Sequence, residues 1–202
     1  MPEQVQPQDA HIDPSVAKQW DTETPFSQQW SDLYRIVDGL KCGLLGTHRP
    51  NVGHVFRSMA IAKRNGPDFL FLANANSQKF KDIDSSKDIT ITFQNSSTMD
   101  WVSISGTATT ASHDDPRIKD VWSRGASAWF GNLGDGKHDG SADDPRMALI
   151  EVKSKYIAYW KAEVGTLGLI KEVAGAAMTG KVANTGAMRQ FEEKDIQAER
   201  KE

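Results

Sequence analysis

Trp30, Leu33, Ile36, Val37 and Leu40 recur at helical spacing, which predicts an amphipathic helix at the start of the folded part of the chain. Thr24-Pro25 stands just before them, Thr as cap and Pro in the first position, and Gly39 and Gly43 bracket the exit. The period then shortens. Apolar runs at 42–47, 55–62, 69–73, 89–93 and 101–110 read as strands, with turns at Arg49-Pro50-Asn51, Asn65-Gly66-Pro67 and Asn95-Ser96-Ser97. Thr90 and Thr92 alternate with Ile89, Ile91 and Phe93, as a half-buried strand requires. A short helix over about 77–83 interrupts the strands. A second is predicted from Asp115-Pro116 through Ile118, Val121 and Trp122 to about Phe130. A Gly/Asp-rich loop fills 131–144, strands follow at 147–152 and 156–160, and the last forty residues read as helical, then charged.

Many short strands, with helices falling between groups of them, predict a mainly β (α+β) fold: an antiparallel barrel with peripheral helices. A doubly wound parallel sheet fits poorly, because helices and strands do not alternate regularly. Residues 1–24 are polar and read as a mobile arm, 25–186 as the folded domain with its C-terminal helix, and 187–202 as a charged tail.

Composition narrows the function. The 202 residues suit one large domain, and the apolar share of 38% leaves some length for tails. A net charge of −3 without a basic stripe argues against a nucleic-acid partner. The N-terminus lacks a basic segment followed by an apolar one, and no apolar run approaches membrane-spanning length, so no membrane partner is expected and the expectation is a cytoplasmic protein. The single cysteine, Cys42, reads as a small buried hydrophobe. The five histidines (His11, His48, His54, His113, His138) have no metal-ligand spacing, and no metal is expected. In the 131–146 stretch a calcium loop fails, since Lys137 takes a ligand position and Arg146 replaces the bidentate Glu.

Two stretches carry candidate chemistry. Arg57-Ser58-Met59 lies inside a strand, and Asn74-Ala75-Asn76-Ser77-Gln78-Lys79 joins the end of another strand to a helix. Such a junction offers an anion free backbone N–H groups, a hydroxyl and an ammonium, and a strand arginine adds a fork suited to phosphate. Taken alone, Arg57 reads more readily as a solvated rim residue than as a ligand, Lys79 as an ordinary exposed helix residue and Ser77 as a simple cap.

The order helix, three strands, short helix, two strands, helix, two strands resembles the pyridoxamine 5′-phosphate oxidase-like split barrel that binds FMN. Within it the chain is similar to the general-stress-protein branch, which includes the fungal blue-light-inducible proteins. The resemblance runs from about Trp30 to Gly186. It rests on Arg57-Ser58-Met59, Ser77-Gln78-Lys79, Trp101-Val102-Ser103-Ile104-Ser105-Gly106, Ala128-Trp129-Phe130-Gly131, Asp143-Asp144-Pro145-Arg146, Ala158-Tyr159-Trp160 and Thr179-Gly180-Lys181.

The resemblance implies an antiparallel split β-barrel and a flavin cofactor, FMN with FAD as a second choice. It implies that Arg57, Ser58, Ser77 and Lys79 meet the phosphate, and that Met59 and the backbone of Ala73 and Asn74 run beside the ring. Trp101, Trp129, Phe130 and Trp160 become candidate ring walls, and the site lies at the seam of a homodimer. Two functions follow: a stress-related flavin-binding protein, or an FMN-dependent oxidoreductase (a flavin reductase, for example) acting on an unidentified small molecule. Oxidation of pyridoxamine 5′-phosphate itself is disfavoured. The true oxidases end in an Arg- and His-bearing motif, which Met188-Arg189-Gln190-Phe191-Glu192-Glu193 lacks.

Overall fold

The computed structural model describes residues 19–21 and 23–201. In chain order the elements are α1 (Phe26–Leu40), β1 (Cys42–Arg49), β2 (Gly53–Ala60), β3 (Lys63–Asn65), β4 (Asp68–Asn74), α2 (Gln78–Ser85), β5 (Asp88–Gln94) and β6 (Trp101–Ala111). They continue with α3 (Arg117–Val121), α4 (Arg124–Ser127), β7 (Met147–Ala162), α5 (Thr166–Thr179), β8 (Gly186–Phe191) and α6 (Glu193–Glu199). The strands form one eight-stranded antiparallel sheet in the order β2-β1-β5-β6-β7-β4-β3, with β8 paired to β7. The mainly β architecture expected from the alternation is therefore present. Among the described residues no helix is long and apolar enough to cross a membrane.

The chain divides into two compact units. One comprises residues up to Leu40, Phe93–Ser103 and Ala158–Gln190; the other comprises Lys41–Thr92, Ile104–Ile157 and Phe191–Glu202. In the first, α1 buries Trp30, Leu33, Ile36 and Val37, the stripe that predicted it. In the second, Leu70, Ile118, Met147 and Leu149 form a buried cluster with Leu72, Val121, Trp122 and Phe130 against it.

Four elements depart from the sequence reading. The predicted strands at 147–152 and 156–160 are one strand of 16 residues, β7. Lys153 and Lys155 face water, while Ser154 is buried and donates its hydroxyl to the Pro67 carbonyl (2.6 Å), so the polar triplet does not break the ladder. The helix predicted from Pro116 to Phe130 is two short helices. Trp122 is extended between them, and the Ser123 hydroxyl accepts the Ala126 N–H to start a new one. A short hairpin strand, β3, precedes the Asn65-Gly66-Pro67 turn.

The fourth departure is the C-terminus. The charged tail expected over 187–202 is instead β8 and α6, with Ala187, Arg189 and Phe191 buried on alternate positions. Arg189 disguised this strand, because an arginine reads as surface. Here its guanidinium is buried and fully engaged. It donates to Asp21 Oδ2 (Nε, 2.8 Å), Asp32 Oδ2 (Nη1, 2.6 Å), the Tyr159 hydroxyl (Nη1, 3.1 Å) and Thr24 Oγ1 (Nη2, 3.3 Å). Most of the expected mobile arm lies outside the described residues. Trp20, however, makes a parallel bridge to Met188, and Asp21 and Thr24 are held by Arg189.

Burial raises the Asp21 carboxyl, but hydrogen bonds from Thr24 and Arg189 outweigh it and lower the pKa from 3.8 to about 2. A carboxylate depressed in the folded state stabilises fully above its unfolded value and loses that contribution as pH falls through the folded one. Arg189→Ala should therefore cost about 3 kcal/mol at neutral pH, the usual penalty for stripping one partner from a buried ion pair. It should also flatten the loss of stability between pH 4 and 2. Urea denaturation across that range checks both; an unchanged acid limb would refute the account.

Candidate functional site

The pleat of β2 sorts its residues to two faces. In register with β1, Arg57 stands opposite Leu45, Val55 opposite Thr47 and Met59 opposite Gly43, all on the face that carries buried Leu45, Thr47 and Ile91. Ser58, Phe56 and His54 point the other way, with Leu44 and Cys42. Ser58 is thus turned from Arg57, and its hydroxyl lies 3.0 Å from the Cys42 thiol. Cys42 is exposed on that outer face, against the expectation of a buried thiol.

On the inner face α2 packs against β1 and brings Asp82, fully buried, under the strands. Its carboxylate accepts from Thr47 Oγ1 (2.9 Å), Arg49 Nε (3.0 Å) and Nη2 (3.1 Å), and Arg57 Nη2 (3.1 Å). Arg57 Nη1 donates to Thr47 Oγ1 at 2.6 Å. The Arg49 hydrogen bond, followed by those of Thr47 and Arg57, holds the Asp82 carboxyl far below the usual carboxylate range against the opposing effect of burial.

The helix end beside this cluster is open. Ser77 is the cap residue of α2, yet its side chain makes no capping bond; the hydroxyl instead accepts from Lys79 Nζ at 2.9 Å. The N–H groups of Gln78 and Lys79, the first two helical residues, have no acceptor within the helix. Asn74 closes the strand-to-helix turn, its side chain accepting the Asn76 N–H (2.9 Å) and its carbonyl the Ser77 N–H (3.0 Å). Burial, and then the charge of Arg57, push the Lys79 ammonium below its ordinary value of 10.5. Among the described residues no carboxylate lies within ion-pair distance of Lys79. Arg49 and Arg57 share the Asp82 carboxylate and Lys79 stands near Arg57 without one, so the three cations exceed the one anion by two positive charges beside backbone donors that the helix leaves unused. A small dianion fits that balance.

The structure brings Arg57, Ser77, Lys79, Asn74 and, on the same face of β2, Met59 to the second unit. Ala73 is buried at the end of β4, paired with Ala148. Phe130 packs on the core cluster of that unit, with the Arg146 guanidinium 5.7 Å from its ring centre. Trp129 is 88% exposed. Trp101 and Trp160 belong to the first unit, where Trp160 is buried with its indole against Gly186. Sequence reasoning missed Thr47, Arg49 and Asp82. Only the β1–α2 packing unites them, and no spacing signals it. The Asp143-Asp144-Pro145-Arg146 stretch is a clamp. Arg146 pairs with buried Asp144 (2.7 Å) and donates to the Phe130 and Gly131 carbonyls (2.8 Å each), fixing one end of the 131–144 loop.

The sequence model of the family described as pyridoxamine 5′-phosphate oxidase like matches residues 28–184. Protein bli-3 of Neurospora crassa is 36% identical over 189 residues, covering 92% of this chain and 90% of that protein. A protein related to general stress protein 26 from Clostridium acetobutylicum superposes with a TM-score of 0.62 at 15% identity, over 85% of this chain and 99% of that one. A pyridoxamine 5′-phosphate oxidase-related, FMN binding protein of Nostoc punctiforme gives 0.52 at 12% identity, over 70% and 87%. These solved structures share the antiparallel split-barrel fold.

The anion site has a direct test. With a dissociation constant of order 1 mM, about 20 mM phosphate would raise the melting temperature by several degrees. The shift should vanish in Lys79→Met, measured by differential scanning fluorimetry at constant ionic strength. An equal shift in both proteins would place the effect elsewhere.

Proposed function

The chain belongs to the pyridoxamine 5′-phosphate oxidase-like family, and on that premise we propose that it binds FMN through the Arg57–Lys79 cluster. The observation that carries the reading is the pair of unneutralised positive charges beside the uncapped start of α2. FMN ends in a phosphate monoester of charge near −2 at neutral pH, which matches that surplus. In FAD the same phosphate is a diester carrying one charge and a bulky extension, so FMN is the preferred flavin. Arg57, Lys79, Ser77 and the N–H groups of Gln78 and Lys79 would hold the phosphate. Asp82 keeps the Arg57 fork in place. Each charge-assisted bond contributes roughly 1.5–3 kcal/mol.

The ring would run past Met59 and the end of β4 at Ala73 and Asn74. Trp129 offers a free aromatic face, and Phe130, Trp101 and Trp160 supply packing in their own units. The outer face of β1 and β2, opposite the phosphate site, leaves Leu44 and Phe56 about half exposed and offers a surface for a homodimer. When bound, the flavin supplies hydride chemistry. The chain's own residues bind and orient it. The reading is of a stress-related flavin carrier or sensor, with a flavin reductase of unidentified substrate as the alternative.

Arg57→Ala and Lys79→Ala should each weaken FMN at least tenfold while leaving riboflavin, which has no phosphate, nearly unchanged; fluorescence titration reads both. Equal losses for the two flavins would discard the phosphate assignment. The pH profile follows from the same groups. Affinity should climb as pH rises through about 6, where the phosphate gains its second charge. It should fall again at alkaline pH as Lys79, depressed below 10.5, loses its proton. Anaerobic addition of NADH or NADPH to the flavin-loaded protein separates the functions: bleaching of the flavin absorbance with turnover on an acceptor favours the reductase, and an unreactive bound flavin favours the carrier.

A further inference from the structure

Helix α5 stands largely in water although it is apolar. Leu167 is 85% exposed, Ile170 62%, Val173 50% and Met178 88%. Its fourteen residues, TLGLIKEVAGAAMT, include only two charges, Lys171 and Glu172. The half-buried positions Gly168, Leu169, Glu172 and Ala176 fall on one side, and the Glu172 carboxylate accepts the Asn184 N–H there. At about 100° per residue, Val173, Ala177, Ile170, Ala174, Leu167 and Met178 form a continuous arc of about 140° on the other side. The arc contains no charge. A helix of this length with Gly168 and Gly175 in its interior is marginal by propensity, since each glycine costs about 1 kcal/mol against alanine. Both the exposed arc and the weak propensity call for a covering surface.

We propose that α5 packs antiparallel on α5 of a second copy of this chain, about a two-fold axis near Glu172. Leu167, Ile170, Ala174 and Ala177 follow the alternating three-and-four spacing of a helix–helix seam. Reversing the helix about Glu172 sets Leu167 against the partner's Ala177 and Ile170 against the partner's Ala174. A large side chain meets a small one each time, the complementarity an isologous contact needs. The alanines also let the two axes approach closely. The four large side chains expose roughly 500 Å² per copy, which sets an upper limit of about 1,000 Å² for the pair, the order a specific interface needs. A lipid surface suits the helix less well, because interfacial helices carry several Lys and Arg beside the apolar arc and here only Lys171 borders it. The pairing does not rest on flavin binding.

Ile170→Glu places a charge in the middle of the seam. Light scattering should show its particle mass at half that of the unaltered chain, whether the latter is a dimer or, with a second pairing through the β1–β2 face, a tetramer. FMN titration of the variant separates this outcome from any failure of the cofactor reading. In a Cys42→Ser background, Leu167→Cys combined with Ala177→Cys should form a disulfide-linked dimer on mild oxidation, and neither single cysteine should. The two positions lie about 15 Å apart along one helix, so the bond must join two chains. Absence of the cross-linked dimer in the double variant overturns the proposal whatever Ile170→Glu does. Cross-linking by Leu167→Cys alone overturns the antiparallel geometry. A monomeric unaltered chain that sediments with phosphatidylcholine vesicles, and no longer does so with Ile170→Glu, assigns the arc to lipid instead.

Discussion

Asp82 is the charge on which the second unit turns. A lone carboxylate taken out of water costs several kcal/mol, so a buried Asp must be met by donors from every side it faces. Thr47 and Arg49 on β1 and Arg57 on β2 meet it, and all three come within reach only when α2 lies against β1. The contact that seats the helix is therefore also the contact that aims the arginine. Two guanidiniums on one carboxylate repel each other, as does Lys79 beside them. That repulsion is the physical reason an anion is welcome at the helix start, and fold energy and ligand affinity draw on the same few groups.

The same logic recurs at two further places. Arg189 in the first unit satisfies Asp21, Asp32 and the Tyr159 hydroxyl, and Arg146 in the second satisfies Asp144 and two loop carbonyls. Arg189 spans segments more than 150 residues apart, Arg146 closes a loop of about 15 residues, and each stays charged because its partners are fixed. The Tyr159 hydroxyl, its pKa raised to about 12 chiefly by burial, remains protonated and donates to the Gln29 carbonyl at 2.7 Å, a second tie between α1 and the Arg189 network beside Asp32. Apolar packing supplies the bulk of both cores; these arginines settle which segments meet.

That division explains what was legible in the sequence. Strands with clean alternation, such as 89–93, and the α1 stripe were read correctly because side-chain period follows directly from backbone geometry. The breaks in reading fall where a polar residue is buried with a partner: Ser154 inside β7, and Arg189 inside β8. Pattern reasoning assigns such residues to water, since the partner lies 87 or 157 residues away. At the candidate site, too, what was legible was local. Arg57 and Lys79 were legible because a strand end, a helix start and a cation coincide within a few residues. Grouping Ser58 with Arg57 ignored the pleat, which sends neighbours to opposite faces.

The sequence alone determined the periods, the punctuation and hence the order of strands and helices, together with the chemistry available at the β4–α2 junction. Those are local quantities, set by side-chain type and backbone geometry within a few residues. Only the tertiary structure decided that Arg49, Thr47 and Asp82 belong with Arg57, that the terminal residues close as β8 and α6, and that the apolar arc of α5 is left facing water. Each of these depends on burial and on partners distant along the chain, and the free energy of a charge or an apolar surface is settled by what surrounds it rather than by where it falls in the sequence.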